Sequence, residues 1–217
     1  MSESIIVEDS GKMLEKIMDL PIQLEKSWTN IWTKSLPVTS NNFDKVIIAG
    51  MGGSGIAGAL LVDLFENKLT RPVSLWADYG LPGWANDKTL LIAVSYSGDT
   101  EETIDVVKAA VERKMPVIAV SSGGKLEELS GIHGFPILKI DYQSPPRAAI
   151  GCLYGALLTI MAKLELIDLT EKTYFQAVEE LKITIQRKSF QSKAEELAVT
   201  LNNKVPIILA YSPLVAV

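Results

Sequence analysis

The stretch KVIIAGMGGSG, residues 45–55, decides the fold. Its first part, Val46–Ala49, is a continuous apolar run, which is typical of a strand buried on both faces of a parallel sheet. Gly50 ends the run, and the helical pattern Ile56–Leu64 follows a few residues later. A buried strand that turns through glycines into a helix is typical of the start of an α/β unit.

Similar apolar runs recur downstream and predict four more strands, at Pro72–Leu75, Leu90–Val94, Pro116–Val120 and Pro136–Ile140. Helical patterns separate them: Glu101–Arg113, a short turn at Lys125–Leu129, and a long helix that follows Pro145-Pro146 and runs through Ala162. Strands that alternate with crossover helices predict an α/β fold with a parallel sheet flanked by helices. We expect its five strands in the flavodoxin-like order 2-1-3-4-5.

Helical patterns also lie on both sides of this unit. The N-terminal pattern spaces its apolar residues by three and four, with a break near Pro21 and a cap at Asp9 or Ser10; its residues are Met13, Ile17, Leu20, Leu24, Trp28 and Ile31. Two more helices are predicted around Tyr174–Ile185 and Ala194–Leu201, and Lys204–Ala210 has the pattern of a further strand.

These patterns divide the chain into four parts. Residues 1–36 are predicted to be an N-terminal helical segment, 37–165 the first α/β domain, 166–203 connecting helices, and 204–217 the first strand of a second, truncated α/β domain. The last part is expected to be truncated because the crossover helix of its strand is absent from the 217 residues.

Composition excludes some classes of function. The formal net charge is −5 and no Lys/Arg cluster stands out, so a nucleic-acid partner is not expected. The longest apolar stretch, Ala148–Ala162, is too short to span a bilayer and the N-terminus lacks a secretory signal, so we expect a cytoplasmic protein without membrane contact. Within that stretch the GxxxG pattern of Gly151 and Gly155 indicates close helix packing.

The reactive side chains are few. Cys152 is the only cysteine and is predicted to be a buried helical thiol, which fits a reducing compartment. His133, the only histidine, is flanked by Gly131 and Gly134 in what we predict to be a loop. Neither a histidine metal site nor a Cys152–His133 dyad is therefore expected.

Two loops contain the candidate ligand-binding residues. Gly50-Met-Gly-Gly-Ser-Gly55 lets backbone approach a ligand at the N-terminus of a helix, and its GxGxxG spacing also fits a dinucleotide, with Asp78 as a ribose partner. Ser95-Tyr-Ser-Gly-Asp-Thr-Glu-Glu-Thr103 surrounds one glycine with the hydroxyls of Ser95, Ser97 and Thr100, which suits a phosphate monoester. The alternative for this serine loop is a capping box between Asp99 and Glu102.

Placement favours the phosphate interpretation. The two loops follow strands one and three, between which strand order reverses, and ligands of open parallel sheets bind at that point. A third candidate, Ser144–Ala149, places Arg147 in the first turn of a helix, where a cation is unfavourable for the helix dipole. Such a cation indicates either an anion site or an exposed, solvated side chain.

Three segments together resemble the bifunctional phosphoglucose/phosphomannose isomerases of archaea and some bacteria, which belong to the SIS (sugar isomerase) superfamily: the glycine turn (Gly50–Gly55), the serine loop (Ser95–Thr103) and Pro145-Pro-Arg-Ala-Ala149. The resemblance runs from the N-terminal helix to the end of the chain. It implies SIS domains, a homodimer, and interconversion of glucose 6-phosphate or mannose 6-phosphate with fructose 6-phosphate through an enediolate, without a metal or organic cofactor.

The resemblance also implies residue roles. Ser95, Ser97 and Thr100 would hold the phosphate of a hexose 6-phosphate. Gly52, Gly53 and Ser54 would line the sugar end, and Arg147 would stabilise the enediolate. The catalytic Glu and His of that family belong to its second SIS domain, and the chain ends before motifs that match them, so catalysis by this chain alone is not expected.

Two alternatives stay open at this stage. One is a non-catalytic SIS module that binds or senses a sugar phosphate. The other, weaker alternative is a nucleotide-binding domain built on Gly50–Gly55.

Overall fold

Five parallel strands form one sheet in the computed structural model, which describes residues 12–209. They are β1 (Lys45–Ala49), β2 (Val73–Trp76), β3 (Thr89–Val94), β4 (Val117–Ser121) and β5 (Ile137–Lys139). The order β2-β1-β3-β4-β5 confirms the predicted topology. All six residues of β3, the central strand, are buried, because helices cover both faces of the sheet.

The helices within the described residues are α1 (Met13–Met18), α2 (Leu20–Trp32), α3 (Gly52–Phe65), α4 (Glu101–Glu112), α5 (Gly124–His133), α6 (Ile150–Lys163), α7 (Glu171–Gln186) and α8 (Lys188–Leu201). The predicted N-terminal helix is interrupted at Asp19, two residues before Pro21. Its predicted caps, Asp9 and Ser10, lie outside the described residues. The long helix begins only at Ile150, because Pro146–Ala149 forms a 3-10 turn ahead of it.

Two local predictions were wrong. His133 is the last residue of α5, not part of a loop, because Gly134 adopts a left-handed φ of 76° and its N–H caps the helix on the carbonyl of Ser130. The strand predicted at Lys204–Ala210 does not form over 204–209, where Val205 and Leu209 are 90% and 93% exposed. A strand needs a neighbour for its backbone hydrogen bonds, and the sheet pairs none with these residues.

Helix α2 packs closely on α6, as the GxxxG pattern predicted. A Cβ atom on Gly151 would lie 2.7 Å from Leu20 Cδ1, and one on Gly155 would lie 2.9 Å from Ser27 Cβ. Close approach also lets Ser27 donate a hydrogen bond to the carbonyl of Cys152 at 3.0 Å. Trp28 is completely buried in the same core cluster as β3, so the N-terminal helices are packed onto the α/β unit.

Residues 12–209 contain no helix that is long and apolar enough to cross a membrane.

Candidate functional site

The glycine turn after β1 is fixed by packing against the end of β3. A Cβ atom on Gly50 would lie 2.8 Å from the carbonyl oxygen of Val94, and one on Gly55 would lie 2.7 Å from that of Gly50. Side chains are therefore excluded at both positions. Helix α3 starts directly at Gly52, whose φ is +51°, and no side chain caps it. Within the described residues no hydrogen bond uses the N–H of Gly52 or Gly53, so both remain available to an anion.

The serine loop after β3 uses its first hydroxyl internally. Ser95 is 1% exposed, and its Oγ accepts a hydrogen bond from the N–H of Gly98 at 3.1 Å and lies 2.9 Å from Thr100 Oγ1. These contacts close the loop over Gly98, whose φ is +77° and whose Cα faces the carbonyl of Gly123. The buried side chain of Ser95 therefore determines the conformation of the loop.

The other two predicted phosphate ligands lie further out. Ser97 is exposed, and its Oγ accepts from the N–H of Asp99 at 3.2 Å, which leaves the hydroxyl hydrogen free to donate. Thr100 is half-buried at the N-cap of α4, and it makes no capping hydrogen bond with its side chain. The structure therefore brings the three hydroxyls into one loop but exposes only Ser97 fully.

Asp99 caps a different helix from the one that its spacing suggested. The capping box with Glu102 at the start of α4 does not form, since Thr100 is the N-cap. Instead Asp99 Oδ1 accepts the N–H of Lys125 at 3.0 Å, in the first turn of α5. The serine loop is thereby anchored to the helix that follows β4.

Arg147 lies beside the glycine turn. A Cβ atom on Gly53 would sit 3.6 Å from the carbonyl oxygen of Pro146 and 3.8 Å from Arg147 Cα. The Arg147 side chain is exposed, and within residues 12–209 it has no hydrogen bond or ion pair. The unpaired cation of Arg147, whose backbone lies next to the free N-terminus of α3, and the helix N-terminus both attract negative charge, so this corner can hold an anion.

Ser54 and Tyr96 connect the loops. Ser54 is 7% exposed, and its Oγ accepts the N–H of Tyr96 at 3.3 Å, so its hydroxyl joins the glycine turn to the serine loop. Tyr96 also binds residues that follow β4 and β5. Sequence reasoning missed Tyr96; its place between two of the predicted phosphate ligands was the available signal.

Asp78 shares a cleft with Gly50 and Met51, as the dinucleotide alternative would require. The cleft is too narrow to admit a water molecule, and Trp76, Glu102 and Val106 line it as well. The structure therefore does not favour a ribose beside Asp78.

The thiol of Cys152 is buried, as predicted. It is 4% exposed, and burial raises its pKa to about 11, so the reactive thiolate is scarce at neutral pH. His133 lies exposed at the end of α5. Among the described residues no group of three or more His, Cys, Asp or Glu side chains is placed to hold a metal ion.

Comparison with a solved structure identifies the fold. No protein-family model matches the chain. A candidate phosphosugar isomerase of Clostridium difficile 630 superposes with a TM-score of 0.67 at 16% identity, over 88% of this chain and 56% of that one. The chain thus has the α/β fold of the SIS phosphosugar isomerases.

The sequence relatives are more specific, and they confirm the predicted resemblance. The bifunctional phosphoglucose/phosphomannose isomerase of Caldicellulosiruptor bescii is 36% identical over 205 residues, which cover 92% of this chain and 60% of that protein. Its counterpart in Thermoplasma volcanium is 41% identical over 129 residues, which cover 59% of this chain and 40% of that protein. This chain is therefore a relative of the bifunctional phosphoglucose/phosphomannose isomerases and spans 60% or less of the length of these two.

Proposed function

We propose that this chain binds a hexose 6-phosphate between the glycine turn and the serine loop, as part of an aldose–ketose isomerase. The reaction interconverts glucose 6-phosphate or mannose 6-phosphate with fructose 6-phosphate. The observation that carries the proposal is the unpaired Arg147 beside the free N–H groups of Gly52 and Gly53. The names of the sequence relatives support this substrate class.

The phosphate is assigned to the serine loop. The hydroxyls of Ser97 and Thr100 donate hydrogen bonds to the phosphoryl oxygens. Ser95 contributes by holding the loop closed. Gly52 and Gly53 donate backbone N–H groups towards the sugar end, and the buried Ser54 fixes the turn beside them.

Arg147 is assigned the role of stabilising the enediolate intermediate. Removal of a proton next to the carbonyl leaves an enediolate, and a fixed cation stabilises that charge most where it develops. The reaction also needs a carboxylate base and a proton donor for ring opening, and the proposal assigns neither to a residue of this chain. The proposal includes a homodimer. Helix α3 exposes the apolar side chains of Ile56 and Leu64, which a second copy of the chain would cover.

Binding of fructose 6-phosphate, measured by titration calorimetry, tests the proposal. The chain should bind it at millimolar concentration or below. Arg147→Ala and Ser97→Ala should each weaken binding about tenfold, because each removes a hydrogen bond to a charged group. Arg187→Ala and Ser192→Ala, which remove exposed side chains of the same types on or next to α8, are the matched controls and should bind as the wild type does.

Two results would count against the proposal: no binding by the wild-type chain, or unchanged affinity in both site variants. A turnover assay with the same chain should show binding without turnover, because the proposal assigns the base and the proton donor to no residue of this chain. Turnover of fructose 6-phosphate by this chain would exclude the alternative of a non-catalytic sugar-phosphate-binding module.

A further inference from the structure

Tyr96 binds three neighbouring segments through its backbone and its side chain. Its N–H donates to Ser54 Oγ at 3.3 Å, which connects it to the first turn of α3. Its carbonyl accepts from Ser122 twice, from the N–H at 3.0 Å and from Oγ at 2.6 Å. The backbone of Tyr96 therefore holds the serine loop between the residues that follow β1 and β4.

The phenol of Tyr96 binds the residues that follow β5. Its hydroxyl donates to the carbonyl of Tyr142 and accepts the N–H of Ser144 at 3.0 Å, so one oxygen uses both its donor and an acceptor site. Residues 140–145 form no helix or strand, so hydrogen bonds of this kind determine their path. Tyr142 is fixed in turn, because its own hydroxyl donates to Asp19 Oδ2 at 3.0 Å.

The far end of the same segment is held by α2. Gln23 is 1% exposed, and its Nε2 donates to the carbonyl of Ala148 at 2.9 Å. Arg147 thus lies between two anchors, Ser144 on Tyr96 and Ala148 on Gln23. Pro145 and Pro146 occupy the positions between Ser144 and Arg147, and their rings fix φ, so a shift of Ser144 is passed on to Arg147.

We infer that Tyr96 is a positioning residue: its phenol, through Tyr142 and Ser144, holds Arg147 beside the N-terminus of α3. The inference rests on the proposed function, since it assigns Arg147 to the sugar end of the ligand. Tyr96 therefore acts on one end of the site only. Its phenol binds Tyr142 and Ser144, which precede Arg147, whereas the hydroxyls of Ser97 and Thr100 make no hydrogen bond to this phenol.

The test is Tyr96→Phe in the same chain, titrated separately with fructose 6-phosphate and with inorganic phosphate. Affinity for fructose 6-phosphate should fall three- to tenfold. Affinity for inorganic phosphate should stay within twofold, because the substitution leaves the hydroxyls of Ser97 and Thr100 in place. Tyr79→Phe is the matched control: its phenol is exposed, lies 3.4 Å from Glu101, and should affect neither ligand.

Two further measurements separate positioning from a general loss of structure. In an Arg147→Ala background, Tyr96→Phe should cause no additional loss of affinity for fructose 6-phosphate, because the group that it positions is already gone. Hydrogen exchange should show a faster Ser144 amide in Tyr96→Phe, with the amides of β3 unchanged.

Failure of the inference is distinguishable from failure of the proposed function. If the wild-type chain binds neither anion, the proposed function fails, and the role of Tyr96 with it. If the wild type binds but Tyr96→Phe weakens both anions equally, or neither, then the proposed function stands and the inference is overturned. An additive double variant would overturn it as well.

Discussion

The glycine turn after β1 and the serine loop after β3 lie side by side but are specified by different forces. In the glycine turn, Gly50 and Gly55 stand where any Cβ atom would meet a backbone oxygen within 2.8 Å. In the serine loop, the buried hydroxyl of Ser95 ties Gly98 and Thr100 into one closed arrangement. The difference teaches that one serine of a sequence motif can serve the shape of the loop, while the serine two positions away is exposed to solvent.

The largest expected effect is that of a substitution at Gly98, because the serine loop, like the glycine turn, has no room for a side chain at this position. A Cβ atom there would lie 1.8 Å from the carbonyl oxygen of Gly123, and the φ of +77° is unfavourable for any side chain. Gly98→Ala should lower the free energy of unfolding by about 3 kcal/mol or more, as measured by urea denaturation.

Gly131→Ala is the control for that substitution. Gly131 lies inside α5 with open space around its Cα, so alanine there should raise the free energy of unfolding by about 0.5–1 kcal/mol. A wild-type stability for Gly98→Ala would show that the loop moves aside readily, and the contrast between the two loops would then be lost.

A smaller effect separates the two serines. Ser95→Ala removes the partner of Thr100 and one of the two acceptors of the Gly98 N–H, which also donates to the carbonyl of Ser95 at 3.1 Å, and should cost about 1 kcal/mol in the free energy of unfolding. Ser97→Ala, at an exposed position, should change it by less than about 0.5 kcal/mol. Equal losses, measured by thermal and urea unfolding, would contradict the division between the buried hydroxyl that shapes the loop and the exposed one.

The smallest expected effect concerns the anchor of the serine loop on α5. Asp99→Ala removes the cap on Lys125 N–H and should cost about 1 kcal/mol, whereas Asp99→Asn keeps an acceptor and should cost less. Asp87→Ala, at an exposed position, should leave stability unchanged. Thermal unfolding resolves these differences, and an Asp99→Ala variant as stable as the wild type would show that Asp99 does not anchor the serine loop on α5.

Much of the fold was predictable because buried strands and crossover helices leave strong local patterns. The flavodoxin-like order was expected because it places β1 and β3, which precede the two loops, side by side at the point where ligands of open parallel sheets bind. The end of α5 was mispredicted because Gly134, a helix-capping glycine, looks like a loop glycine in sequence. The strand at Lys204–Ala210 was mispredicted because an apolar pattern does not reveal whether a pairing neighbour is present.

The site was predictable in part. Motifs name residue types, so they indicated the hydroxyls of the serine loop but not which of them points inward. The roles of Tyr96 and Gln23 depend on partners 46 and 125 positions away, and no local pattern encodes such contacts. Asp99 shows the same limit, because its spacing fits a local cap while its carboxylate reaches a helix 26 positions further along.

The seating of α2 on α6 has a consequence for biosynthesis. Hydrogen bonds between these segments join residues 125 positions apart, so α2 leaves the ribosome long before the groove that receives it. At ordinary elongation rates that interval is roughly 6–25 s, during which the stripe containing Leu24, Trp28 and Ile31 has no groove to enter. Helix α2 therefore docks late, and we expect chaperones that recognise apolar nascent segments to bind this stripe.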